Sequence, residues 1–93
     1  MKYTQTTLDK LEATVTEAGY VLRYERGTFQ SGYCILESKK VVVLNKFLAT
    51  EGRINTLIDL IPQLQIDPGH LSEESSRLHQ EVLSRVENAE NPE

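Results

Sequence analysis

The apolar positions of this 93-residue chain change period several times, and each change marks an element. From Thr7 to Ala18 the residues Leu8, Leu11, Val15 and Ala18 recur at helical spacing with polar residues between them, which predicts a first helix. Thr6, with Asp9 three residues on, resembles a capping box, and Gly19 is placed to end the helix in a left-handed conformation. Tyr20 to Glu25 then alternates, setting Tyr20, Leu22 and Tyr24 against Val21, Arg23 and Glu25, the period of a strand near a sheet edge.

Two short runs follow, Tyr33-Cys34-Ile35-Leu36 and Val41-Val42-Val43-Leu44, separated by the polar Glu37-Ser38-Lys39-Lys40. Their β-branched and aromatic content predicts a hairpin. Both runs are continuous rather than alternating, so both strands are expected to be covered on their two faces. From Ile54 the spacing Ile54, Leu57, Ile58, Ile61, continuing to Leu64, predicts a second helix. Thr50 suits its N-cap, Glu51 complements the positive end of its dipole, and Pro62 should stop it near Ile61. Between the first two strands lies a break from Arg26 to Gly32, in which Phe29 either extends the second strand backward or plugs the core.

Three strands joined by short connections favour an antiparallel meander, because a parallel crossover needs a dozen or more linking residues. Helices one and two would cover one face of the sheet. An apolar second face needs a cover as well, either the C-terminal helix or a second copy of the chain. Gln65 to His70 reads as a linker with a turn at Asp67-Pro68-Gly69, and Ser72 with Glu73 and Glu74 opens a third helix. That helix carries a narrow apolar stripe, Leu78, Val82 and Val86, with Leu83 alongside. The stripe is too thin for a central core and suits packing on the sheet or on a partner. The expected fold is α+β: helix, three-stranded antiparallel meander, helix, C-terminal amphipathic helix. Residues 1–66 would form the core domain, 67–71 a linker, and 72–93 an acidic amphipathic helix with a frayed tail.

Composition refines this picture in three places. Hydrophobic residues make up 39% and charged residues 26%, and no apolar run approaches the ~20 residues that a membrane span requires. The N-terminal MKYTQTTLDK has no apolar signal core, so a cytoplasmic protein without membrane contact is expected. Residues 1–61 hold eight basic and seven acidic side chains, whereas residues 62–93 hold two and seven, so the net charge of −4 belongs to the C-terminal part. Such a distribution argues against nucleic acid as a partner. The single cysteine, Cys34, falls inside a strand, where a free thiol acts as a small hydrophobe.

Candidate chemistry is sparse. Cys34, His70 and His79 lie far apart without Cys-x-x-Cys or His-Glu-x-x-His spacing, so no metal site is expected. His70 reads as a solvated residue beside a turn and His79 as a surface residue of the third helix. No Gly-x-Ser-x-Gly elbow and no phosphate-cradling glycine pattern occurs, so neither an enzyme nor a cofactor is expected. The polar residues that stand out are Arg23, Asn45 and Arg53, a candidate ligand or anion site at the hairpin rim and the start of helix two. Asn45 more often bonds local backbone at a strand end. Arg53 sits in the first helical turn, where a cation opposes the dipole, and Glu25, Asp59 or an external anion would compensate it.

At Gly32-Tyr33-Cys34-Ile35-Leu36, Val41-Val42-Val43-Leu44-Asn45 and Arg53-Ile54-Asn55-Thr56-Leu57 the chain resembles small bacterial proteins of the conserved hypothetical type. Over residues 20–61 the order of strand, hairpin, Asn, Arg and helix also looks like the segment that leads into the zinc helix of zincin-like metallopeptidases. Where such a peptidase places His-Glu-x-x-His, this helix reads Thr56-Leu57-Ile58-Asp59-Leu60-Ile61. The resemblance therefore implies no catalytic residue.

The expectation is a small non-catalytic protein-interaction or regulatory module, homodimeric or bound to another protein. Leu78, Val82 and Val86 are its candidate contact residues. The alternative is a small-molecule or anion binder built on Arg23, Asn45 and Arg53.

Overall fold

A computed structural model describes residues 2–26 and 33–90. The expectations for Phe29 and for the glycines of the break lie outside the described residues, as do those for the side chains of Cys34 and Val86. The chain is α+β, in the order α1 (Gln5–Glu17), β1 (Val21–Glu25), β2 (Tyr33–Leu36), β3 (Val41–Asn45), α2 (Thr50–Leu60) and α3 (Glu73–Glu90). Short 3₁₀ turns occupy Glu37–Lys39, Ile61–Gln63 and Pro68–His70.

Local signals explain most of these limits. Helix α1 begins earlier than Thr6: Thr4 is its N-cap, and its hydroxyl accepts from the Thr7 amide at 3.2 Å. Gly19 ends the helix at φ 96°, a left-handed conformation that an added Cβ would resist although the space around it is open. The N-cap of α2 is Ala49 rather than Thr50, and it makes no side-chain cap bond. Pro62 does halt α2, whose last turn tightens into the 3₁₀ turn Ile61–Gln63. In the linker, Asp67 Oδ1 accepts from the Gly69 amide at 2.9 Å, and Ser72 Oγ accepts from the Ser75 amide at 3.2 Å to cap α3.

The sheet is mixed, not an antiparallel meander. Its order is β1-β3-β2, with β3 parallel to β1 and antiparallel to β2. Short connections exclude a parallel pair only between successive strands. Here residues 26–40, β2 among them, link β1 to β3, which is length enough for a crossover. The most apolar strand takes the centre, where ladder bonds form on both sides. The Val21 amide donates to the Lys40 carbonyl at 2.8 Å, and the Lys46 amide donates to the Glu25 carbonyl at 3.0 Å, so the parallel ladder is closed at both ends.

Register sorts the sheet into two faces. On the inner face Leu22, Val42 and Ile35 form one cross-strand row, and Tyr24 and Leu44 lie in the next. Val42 and Leu44 are fully buried there, together with Leu8, Leu11 and Val15 of α1 and Ile54, Leu57 and Leu60 of α2. Helix α3 packs on α1 and on the Ile61–Gln63 turn, adding the fully buried Val82 to the same core. Tyr20 packs at the base of β1, and its hydroxyl accepts from the Gln65 amide at 3.1 Å, tying the exit of α2 to the sheet.

The outer face corrects a second expectation. Val21, Val41 and Leu36 form a row across three strands, with Arg23 and Val43 in the next, and none of them belongs to the core. Val21 is 54% and Leu36 45% exposed, while Val41 and Val43 are half-buried. Among the described residues the continuous apolar strands are thus covered on one face only, because α1, α2 and α3 all join the one core that lies on the inner face. Among the described residues no helix is long and apolar enough to cross a membrane.

Candidate functional site

The three candidate ligand residues do not meet. Arg23 follows the alternation of β1 onto the outer face, where its guanidinium pairs with Glu25 two residues on. Arg53 lies beyond the other face. Its Nε donates to the Leu48 carbonyl at 2.9 Å, a second guanidinium nitrogen donates to the Lys46 carbonyl at 3.0 Å, and the group sits 4.3 Å from the centroid of the Tyr24 ring. Two carbonyls and an aromatic face therefore compensate the cation at the helix start, while Glu25 pairs with Arg23.

Asn45 shares this corner with Arg53. Its Oδ1 accepts from the Phe47 amide at 3.0 Å, and its carbonyl accepts from the Leu48 amide at 3.2 Å, which folds the chain from β3 into α2. Asn45 and Arg53 act together as a clasp on the connection Lys46–Ala49. Arg53 Nε and one of its terminal nitrogens, together with Asn45 Oδ1, are engaged with backbone.

The clasp continues inward as a polar network. The Tyr24 hydroxyl donates a hydrogen bond to Glu12 of α1, so Glu12, Tyr24 and Arg53 bind α1, β1 and α2 to one another. Burial pushes the Tyr24 phenol above its ordinary value of 10, the neighbouring Glu12 carboxylate pushes it further, and Arg53 opposes both. A phenol shifted upward is a poor nucleophile and base near neutrality, so this network joins elements and does not activate a group.

On α3 two of the candidate contact residues, Leu78 and Val82, face their own chain. Val82 is fully buried, and Leu78 is half-buried against the core. His79, expected at the surface, is only 8% exposed, and its Nδ1 is buried with no hydrogen-bond partner. Burial lowers its pKa from 6.5. Nearby, Glu17 at the end of α1 accepts from the Ser72 amide at 2.8 Å, and Lys10 pairs with Glu74 at 3.1 Å, pinning the start of α3. The Ser72 amide holds the Glu17 carboxyl below its usual 4.5. A groove of about 190 Å³ runs between these two helices, lined by Thr6, Lys10, Ala13, Ser75 and Leu78 among others. The anion position at the N-terminus of α3 is already filled by Glu17.

Among the described residues no group of three or more His, Cys, Asp or Glu side chains could hold a metal ion. Among the described residues the outer face of the sheet, with its row Val21, Val41, Leu36, is an apolar surface that lies outside the core. No family model matches the chain, and searches of curated proteins and of solved structures return no match either.

Proposed function

We propose that this chain is a non-catalytic protein-interaction module that associates with a second copy of itself through the outer face of its sheet. The observation that carries the reading is the row Val21, Val41, Leu36, apolar across three strands and outside the core. Water against such a row costs free energy that a facing apolar surface removes.

The occupant follows from symmetry. A two-fold axis parallel to β3 and midway between two stacked sheets exchanges the edge strands, because β1 and β2 flank β3. Val41 then meets the partner's Val41, and Val21 meets the partner's Leu36, so the row complements itself. Arg23 and Glu25 neutralise each other on this face, and two copies bring no like charges together. Residues 62–93, by contrast, carry a net charge of −5.

Area sets the strength. Three strands at ~4.8 Å spacing and five residues at ~3.3 Å give a footprint of about 240 Å² per copy. Twice that is well under the ~1,600 Å² of a standard interface, which makes the dimer transient, with Kd on the order of 0.1–1 mM. Sedimentation equilibrium over that range should show the 10.6 kDa chain moving toward twice its mass, and Val21→Lys should abolish the shift. An unchanged mass at every concentration, or an identical shift in the variant, removes this reading.

A further inference from the structure

We propose that α3 is an acid-released latch, held on α1 and the Ile61–Gln63 turn while the buried His79 is neutral and let go when His79 takes up a proton. Ser75, His79 and Val82 follow each other at i, i+4 and i+7 and are the buried residues among the described side chains of α3. The histidine therefore lies in the middle of the contact that docks the helix, with its Nδ1 enclosed and unbonded. A neutral imidazole tolerates this position at the cost of one unmade hydrogen bond. A cation does not, because an uncompensated buried charge costs far more.

Among the described residues no carboxylate is paired with the imidazole. On α1, Glu17 is held by Ser72, Lys10 by Glu74, Glu12 by Tyr24, and Asp9 accepts from Gln5. The Ile61–Gln63 turn contains no ionisable residue. On α3 itself Glu73 pairs with Arg77, and Glu81 lies two residues from His79, across the helix. Burial is what lowers the pKa of the imidazole.

The sign is fixed by linkage. His79 has a lowered pKa when docked and the ordinary 6.5 when released, so the released state binds more protons and docking weakens as pH falls below 6.5. For an imidazole that stays neutral while docked, the opening equilibrium rises about tenfold between pH 7.5 and 5.5. Glu17 does not confuse the reading, since its carboxyl titrates below that window. Release uncovers the stripe Leu78 and Val82, which is otherwise turned inward.

Amide hydrogen exchange, corrected for its intrinsic pH dependence, tests the latch. The proposal expects protection of residues 75–85 to fall up to about tenfold between pH 7.5 and 5.5 while β3 keeps its protection. In His79→Gln, which cannot ionise, α3 protection should stay flat over the same range. Loss of protection in α3 and β3 together, or an equal loss in His79→Gln, overturns it. An NMR titration of the imidazole in the unmodified chain is the independent check. A midpoint below 6.5 supports the latch, and a midpoint at or above 6.5 refutes it.

Discussion

The two faces of this sheet carry nearly the same chemistry and meet different fates. Leu22, Val42, Ile35 and Leu44 on the inner face are valine, leucine and isoleucine, and so are Val21, Val41, Val43 and Leu36 on the outer face. Two of the inner four are fully buried, whereas Val21 and Leu36 stand about half in solvent. Composition alone did not decide which face was covered. The helices did, and the polar corner formed by Glu12, Tyr24, Asn45 and Arg53 adds contacts between α1, β1 and α2 on the inner side.

That contrast can be broken from the inside first. Leu44→Ala removes a fully buried side chain from the centre of the core and should cost about 3 kcal/mol, read as a lower urea midpoint. Next comes the corner. Arg53→Ala deletes two hydrogen bonds to carbonyls and the contact with the Tyr24 ring, for about 2 kcal/mol. Lysine at this position should recover only part of the loss, since it lacks the planar fork that reaches Lys46 and Leu48 at once.

Tyr24→Phe is a gentler cut of the same corner, about 1 kcal/mol from the lost bond to Glu12. It also carries a pH signature. The folded-state pKa of Tyr24 lies above the unfolded value of 10, so its contribution is complete below pH 10 and declines as pH rises beyond it. Unfolding midpoints should therefore drop less steeply above pH 10 in Tyr24→Phe than in the parent chain.

The smallest effect on stability belongs to the outer face. Val21→Lys changes a half-exposed edge residue and should shift stability by no more than about 0.5 kcal/mol. The same change should eliminate self-association. A mutation nearly silent in the monomer and decisive in the dimer is what separates the two faces.

Much of this architecture was legible in the sequence. The stripe Leu8, Leu11, Val15, Ala18 and the alternation of Tyr20 to Glu25 report burial directly, because each position's neighbours lie on its own element. Gly19 as a left-handed stop and Ser72 as a cap were readable for the same reason. Strand order was not. Whether β3 pairs with β1 depends on a crossover through β2, and no local pattern encodes it. The continuous run Val41 to Leu44 implied two covered faces, but a central strand paired on both edges is shielded enough to carry such a run with one face open.

At the candidate site the sequence marked Asn45 and Arg53 as unusual, and both are structural fasteners of one connection. Arg23 could be separated from them by parity along β1, since it alternates with Tyr24. His79 was overlooked because the stripe was counted from Leu78. Counting from Ser75 places His79 one turn on and Val82 two turns on, the spacing of a buried face.

The central claim is that the outer sheet face meets a second copy of the chain, and methyl-resolved NMR over a dilution series addresses it residue by residue. Concentration-dependent shifts confined to the methyls of Val21, Leu36, Val41 and Val43, with Val42 and Leu44 unmoved, are the predicted result. Outer-face methyls that stay fixed up to millimolar concentration, or shifts that instead gather on Leu78 and Leu83 of α3, would contradict it.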